Sequence, residues 1–204
     1  MIDDTFSSYN RVDAMCKLLE DDKVVEEEWR SYLWNKVYKR EMFRGVVFPI
    51  GRGLDEDTSV MHQIFHNAGK VLYYNSEFYY YCSRKGSITQ PINEREKVRN
   101  SIDRRNARWE RYLFIKAHPE YHAKLDKLSN MVVSVYLANF RYIYKHPDLF
   151  PSDYPETMRK RLNMVKLSFS KMMPEFITPA KKVEYMLFKH CFPLYRFLAA
   201  RVKK

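Results

Sequence analysis

The 204-residue chain is 46% hydrophobic and 16% aromatic, with Lys and Arg exceeding Asp and Glu by 11. That composition supports a packed core in one domain or two small ones and excludes a disordered polymer. Three scattered cysteines, Cys16, Cys82 and Cys191, exclude a disulfide framework and a Cys-x-x-Cys zinc site.

The charge is unevenly placed. Residues 1–92 hold 12 Lys and Arg against 14 Asp and Glu, whereas residues 93–204 hold 24 against 11. Two regions are expected on this basis: a neutral-to-acidic one over 1–92, and a basic one over 93–204 suited to a polyanionic surface.

In chain order, Val12, Met15, Leu18 and Leu19 have helical spacing over residues 8–21, with Ser7 or Ser8 as the N-cap. The stretch from Glu26 through Trp29, Leu33, Trp34 and Tyr38 fits helix or strand equally. Phe43 to Ile50 has a strand-like composition, ended by Pro49 and the turn Gly51-Arg52-Gly53. Asp55-Glu56-Asp57-Thr58 opens a helix that Val60, Met61, Ile64, Phe65 and Ala68 continue, with Gly69 as the C-cap. Val71–Tyr74 and Phe78–Cys82 read as two short strands.

Everything after Asn93 reads as helical: Glu94 to Ala117, Tyr121 to Lys145, a helix from Pro155 to about Met173, and a last one from Pro179 to Lys204. Pro193 breaks or kinks the last helix. The final segment interleaves Lys181, Lys182, Lys189 and Arg201 with Met186, Leu187, Phe188, Leu194 and Phe197, a cationic amphipathic pattern suited to a lipid interface. No run approaches the ~18 apolar residues of a membrane-spanning helix. The acidic opening Met1-Ile2-Asp3-Asp4 does not resemble a secretory leader, so a cytoplasmic location is expected.

Four patches follow one another in a fixed order: Trp34-Asn35-Lys36-Val37-Tyr38, Phe48-Pro49, Asp55-Glu56-Asp57, and Tyr79-Tyr80-Tyr81-Cys82-Ser83-Arg84-Lys85-Gly86-Ser87-Ile88. Together they resemble the acceptor-side half of inverting family-two glycosyltransferases, whose fold is called GT-A. The resemblance covers roughly residues 8 to 90. It implies that Asp57 is the catalytic base and that Glu56 orients the acceptor or the helix start. It also implies that Trp34, Lys36 and Tyr38 border the acceptor cleft, and that Arg84 and Ser87 lie on a loop closing over the leaving diphosphate. From its place at a helix start, Asp57 is expected to be held ionised, with lowered basicity.

Each of these residues also has a packing reading: Asp57 as a helix cap, Trp34 and Tyr38 as core anchors, Lys36 and Arg84 on a solvated surface. His62 and His66 share a helix face, and His118 and His122 repeat that spacing. Gln63 replaces the Glu of a His-Glu-x-x-His zinc site, so both pairs read as packing or surface residues and no metal site is assigned. Arg95, Lys97, Arg99, Arg104, Arg105, Arg108 and Arg111 crowd one helix without any nucleic-acid signature, which argues against nucleic acid as the partner.

The resemblance implies one further thing. The family binds Mn or Mg on its nucleotide-sugar donor through an Asp-x-Asp pair in its first half. No such pair precedes Trp34, so no cofactor is assigned to this chain. A truncated copy, inactive alone and completed by a companion nucleotide-binding half, is the expectation. It would transfer sugar to a glycan or lipid-linked acceptor in surface polysaccharide synthesis, as a peripheral protein at the inner face of the membrane. The alternative is a non-catalytic basic helical module that binds an anionic membrane surface or a partner protein. The fold expected is α+β: part of a GT-A-like mixed sheet with flanking helices, then an all-helical C-terminal region. An exposed sheet edge would favour a homo-oligomer.

Overall fold

The computed structural model describes residues 6–20, 29–74, 79, 80, 82, 93–166 and 178–201. The chain divides into two compact units, Met1–Lys124 and Leu125–Lys204. The division by packing therefore lies 32 residues beyond the change in charge at 92/93, and the first basic helix belongs to the first unit.

In the first unit, strand β1 (Phe6–Asn10) pairs antiparallel with β2 (Lys70–Tyr74), Phe6 opposite Tyr74 and Asn10 opposite Lys70. Helix α1 (Arg11–Leu18) follows β1 directly. Ser7 and Ser8 lie within the strand, so neither caps α1; Asn10 does, its Oδ1 accepting from the Asp13 amide at 2.9 Å. Trp29 is buried where these elements meet, edge-on to Tyr9 at 5.0 Å and stacked on Tyr73 at 5.6 Å.

The strand-like stretch Phe43–Ile50 is not a strand. A 3-10 turn covers Arg40–Phe43, and Gly45 then turns the chain at φ 74°. The Asn67 side-chain amide donates to the carbonyls of Met42 (2.9 Å) and Arg44 (3.0 Å), occupying acceptors that a sheet ladder would have used.

Helix α2 (Glu56–Asn67) starts where the acidic run placed it and ends with Ala68, not Gly69, as its C-cap. It packs on α3 (Glu94–Ala117), with Val60, Met61, Ile64 and Phe65 of α2 and Val98, Ala107, Tyr112 and Ile115 of α3 all buried. A 3-10 stretch, Pro119–Lys124, closes the unit and buries Tyr121 completely. Two antiparallel strands are the sheet among the described residues, and most of the expected strand Phe78–Cys82 falls outside them.

The second unit is helical: α4 (Leu125–Lys145), α5 (Tyr154–Met164), α6 (Pro179–His190) and α7 (Phe192–Arg201). Pro155 lies in the first turn of α5 and Pro179 opens α6, as expected. Pro193 lies in the first turn of α7, and the chain breaks between α6 and α7 at Cys191. Phe140, Phe188 and Tyr195 form the unit's aromatic centre, at ring separations of 5.3 to 6.2 Å. Two buried hydroxyls are matched, Tyr185 donating to Val165 O at 2.9 Å and Tyr195 to Leu137 O at 3.4 Å. Among the described residues no helix is long and apolar enough to cross a membrane.

Candidate functional site

The residues around the start of α2 form the candidate site. Asp55, just before the helix, has φ 59°, the left-handed region that Asp tolerates better than most residues. Its carboxylate accepts from Thr58 Oγ1 at 3.1 Å and from Arg104 Nε at 3.0 Å, and its carbonyl accepts from the Ser59 amide at 3.2 Å. These bonds hold the turn against its backbone cost.

One turn in, the exposed Glu56 and half-buried Asp57 diverge. Asp57 Oδ1 accepts from the Thr58 amide at 2.6 Å. Burial nonetheless pushes the Asp57 carboxyl above the usual range. The Thr58 hydrogen bond opposes that rise, the neighbouring Glu56 and Asp55 charges add to it, and Arg111 opposes it. The expectation that the helix end lowers Asp57 basicity is therefore overturned, because desolvation outweighs the N-terminal field.

Arg111 reaches this turn from α3. It is buried, and its Nη2 donates to Ser31 Oγ at 2.6 Å and to the Thr58 carbonyl at 3.0 Å. It thus joins the segment preceding Trp34 to the first turn of α2. Arg105 is buried too, donating to Ser101 O at 2.5 Å. Two of the cations that crowd this helix are therefore buried. Arg111 is the site residue that the sequence reading missed, and its spacing was the available signal. It stands four residues after Ala107 and four before Ile115, in line with a buried stripe.

Tyr38 lies in the field of Asp57, and burial together with that charge pushes its phenol upward. Its hydroxyl donates to Leu33 O at 3.3 Å, and its ring meets Phe43 edge-on at 5.3 Å. Trp34, 37% exposed, stacks on Tyr32 at 5.0 Å and meets Tyr79 at 4.6 Å, so the first and last of the four patches touch. Lys36 lies in the same segment as Trp34 and Tyr38. Its ammonium donates to Arg30 O (2.8 Å), Tyr32 O (2.9 Å) and Asn35 Oδ1 (2.6 Å), tying its own loop together. Arg84 and Ser87 lie outside the described residues.

The two histidine pairs converge. His62 is buried against the edge of Phe114 at 4.7 Å, and burial, with Arg111 nearby, pulls its pKa down to about 3. His66 shares a 2.9 Å hydrogen bond with the Tyr121 hydroxyl and lies 4.5 Å from the His118 ring. These contacts are packing. Among the described residues no three His, Cys, Asp or Glu gather to hold a metal ion.

Comparison with known proteins gives a partial likeness. Over 62 residues, 30% of its length, the chain is 36% identical to Glycosyltransferase GlyA of Streptococcus pneumoniae serotype 4 (strain ATCC BAA-334 / TIGR4). Part of this chain is glycosyltransferase-like. The match spans 9% of that protein, so the chain covers under a tenth of the relative it matches. No protein-family model matches the chain, and no solved structure does.

Proposed function

We propose that residues 1–92 are the acceptor side of an inverting family-two glycosyltransferase with a GT-A fold, followed by a basic helical region over 93–204, and that Asp57 is its base. The observation that carries the reading is a half-buried carboxylate at the head of α2, with Tyr38 within its field and Arg111 bonded to the adjacent Thr58 carbonyl. The local likeness to a glycosyltransferase supports it.

In the reaction the acceptor hydroxyl gives its proton to Asp57 as its oxygen bonds to the anomeric carbon of the donor sugar. The bond from that carbon to the diphosphate oxygen breaks on the opposite face, and the nucleoside diphosphate leaves with the electron pair. Raised basicity favours the proton transfer at neutral pH, provided the carboxylate remains ionised. Trp34 and Tyr79 supply aromatic surface beside the acceptor, and Glu56 lies at the solvent side of the same turn.

The described residues do not suit the divalent cation that such enzymes hold on the donor. Asp55, the other member of the chain's one Asp-x-Asp, directs its carboxylate to Thr58 and Arg104. Donor binding is therefore not assigned to the described residues, and no step is derived through a metal. In this reading the 204 residues are inactive alone, and the product is a surface glycan or its lipid-linked precursor.

The test is Asp57→Asn in the protein as the cell makes it, assayed with labelled nucleotide sugars. Transfer should be lost, while asparagine still accepts from the Thr58 amide and the fold survives. Retained turnover overturns the assignment. Stability gives a second reading. Because the folded-state pKa is raised, the carboxylate weakens the fold at neutral pH, and this penalty disappears below the unfolded value of ~3.9. Asp57→Asn should therefore melt higher at neutral pH and show no such gain in acid.

A further inference from the structure

The last two helices each carry two apolar faces, of which the fold uses one. In α6, Tyr185 and Phe188 are buried, while Val183, Met186 and Leu187 follow an i, i+3, i+4 spacing on the opposite side. Val183 is 60% exposed and Met186 45%. In α7, Tyr195 and Ala199 are buried, while Leu194, Phe197 and Leu198 repeat the spacing outward, with Phe197 52% exposed. One amphipathic helix with a bare stripe is ordinary, but two consecutive ones in the same unit form a surface.

Charge identifies the occupant. Residues 178–204 contain seven Lys and Arg and a single acid, Glu184. That acid is bound by Arg141 of α4, whose Nε lies 2.8 Å from its Oε1. The segment is thus cationic and its one negative group is already neutralised. A second copy would bring like charge against like, and apolar stripes with Phe197 as their single aromatic offer a nucleic acid no run of stacking faces and no hydrogen-bond partners. Anionic lipid satisfies both parts, with acyl chains against the apolar stripes and headgroups against the cations. Arg201 has its guanidinium 3.4 Å from the centre of the Phe197 ring. That pairing lets the ring enter the acyl boundary while the cation stays at the phosphates.

We propose that the outward faces of α6 and α7 form an interfacial anchor that lays the second unit on an anionic membrane surface. The site is independent of the Asp57 chemistry, so either proposal can fail without the other.

The test is co-sedimentation of the full chain with phosphatidylcholine vesicles, with and without about a quarter phosphatidylglycerol, at about 50 and about 500 mM NaCl. Binding is expected to the anionic vesicles at low salt, falling at least about fivefold at high salt. Met186→Asp combined with Phe197→Asp should weaken it by about tenfold or more with an unchanged circular dichroism spectrum. Val183→Ser with Leu194→Ser is the milder pair should the charged one misfold, and it should weaken binding in the same direction. A parent that does not pellet with anionic vesicles, or variants that pellet as well as the parent, overturns the proposal. Concentration-dependent dimerisation abolished by the same variants, without vesicle binding, overturns it in favour of a second copy.

Discussion

Arg111→Met is the sharpest test of how the site is built. The guanidinium joins Ser31 to the Thr58 carbonyl, so its removal severs the link between the loop before Trp34 and the start of α2. Hydrogen bonds to a charged group contribute about 1.5–3 kcal/mol each, or about 3–6 kcal/mol for the two. Removing a buried cation recovers part of its desolvation penalty, and methionine refills most of the space left by the stem. The net expectation is a loss of about 2 kcal/mol, which a urea slope of about 2 kcal/mol per molar turns into a midpoint about 1 M lower. All three tryptophans, Trp29, Trp34 and Trp109, lie in the first unit, so tryptophan fluorescence follows its unfolding without interference. The variant should also raise the Asp57 carboxyl further, since Arg111 opposes that rise; carboxyl-carbon NMR reads this directly. A midpoint within about 0.2 M of the parent, with Asp57 unmoved, would refute the bridging role.

Two more outcomes follow from burial. His62 is held neutral, with its pKa near 3 against an ordinary 6.5, so between those values the unfolded chain binds more protons than the folded one. Stability of the first unit should fall as pH drops through that window, by up to about 1.4 kcal/mol per pH unit. His62→Leu should flatten the slope, leaving a remnant from His66, which is also lowered; equal slopes in urea titrations across the window would contradict this. Phe140→Ala, at the aromatic centre of the second unit, should cost about 3–5 kcal/mol by calorimetry, and a loss under about 1 kcal/mol would mean that the space collapses around it.

Where the chain states its structure locally, the sequence reading reached it. The acids before α2, Pro155 in the first turn of α5, Pro179 opening α6, and the interruption before Pro193 each act within one helical turn. Strand β1 was missed because its partner lies some sixty residues away, and Ser7 and Ser8 look like caps until that pairing forms. Composition registered the charge of α3 but not its direction. Arg105 stands seven residues after Val98 and seven before Tyr112, inside a buried stripe, so periodicity held the information that a charge count discards. For Asp57, the electrostatics of a helix end could be read from its position. The burial that reverses their effect depends on tertiary packing.

The left-handed residue before α2 constrains how this site can change over time. Asp55 and Asp57 stand two apart, yet one is turned towards Arg104 and the other sets its charge on Tyr38, and the mirror-image backbone at Asp55 sets up that divergence. Glycine or asparagine could occupy position 55 and keep the backbone, whereas a β-branched residue there would force the loop to unwind and swing Asp57 off target. Glu56, between them, is exposed, and its charge acts on Asp57. The segment is therefore constrained differently at three consecutive positions, by backbone at 55, charge at 56 and burial at 57.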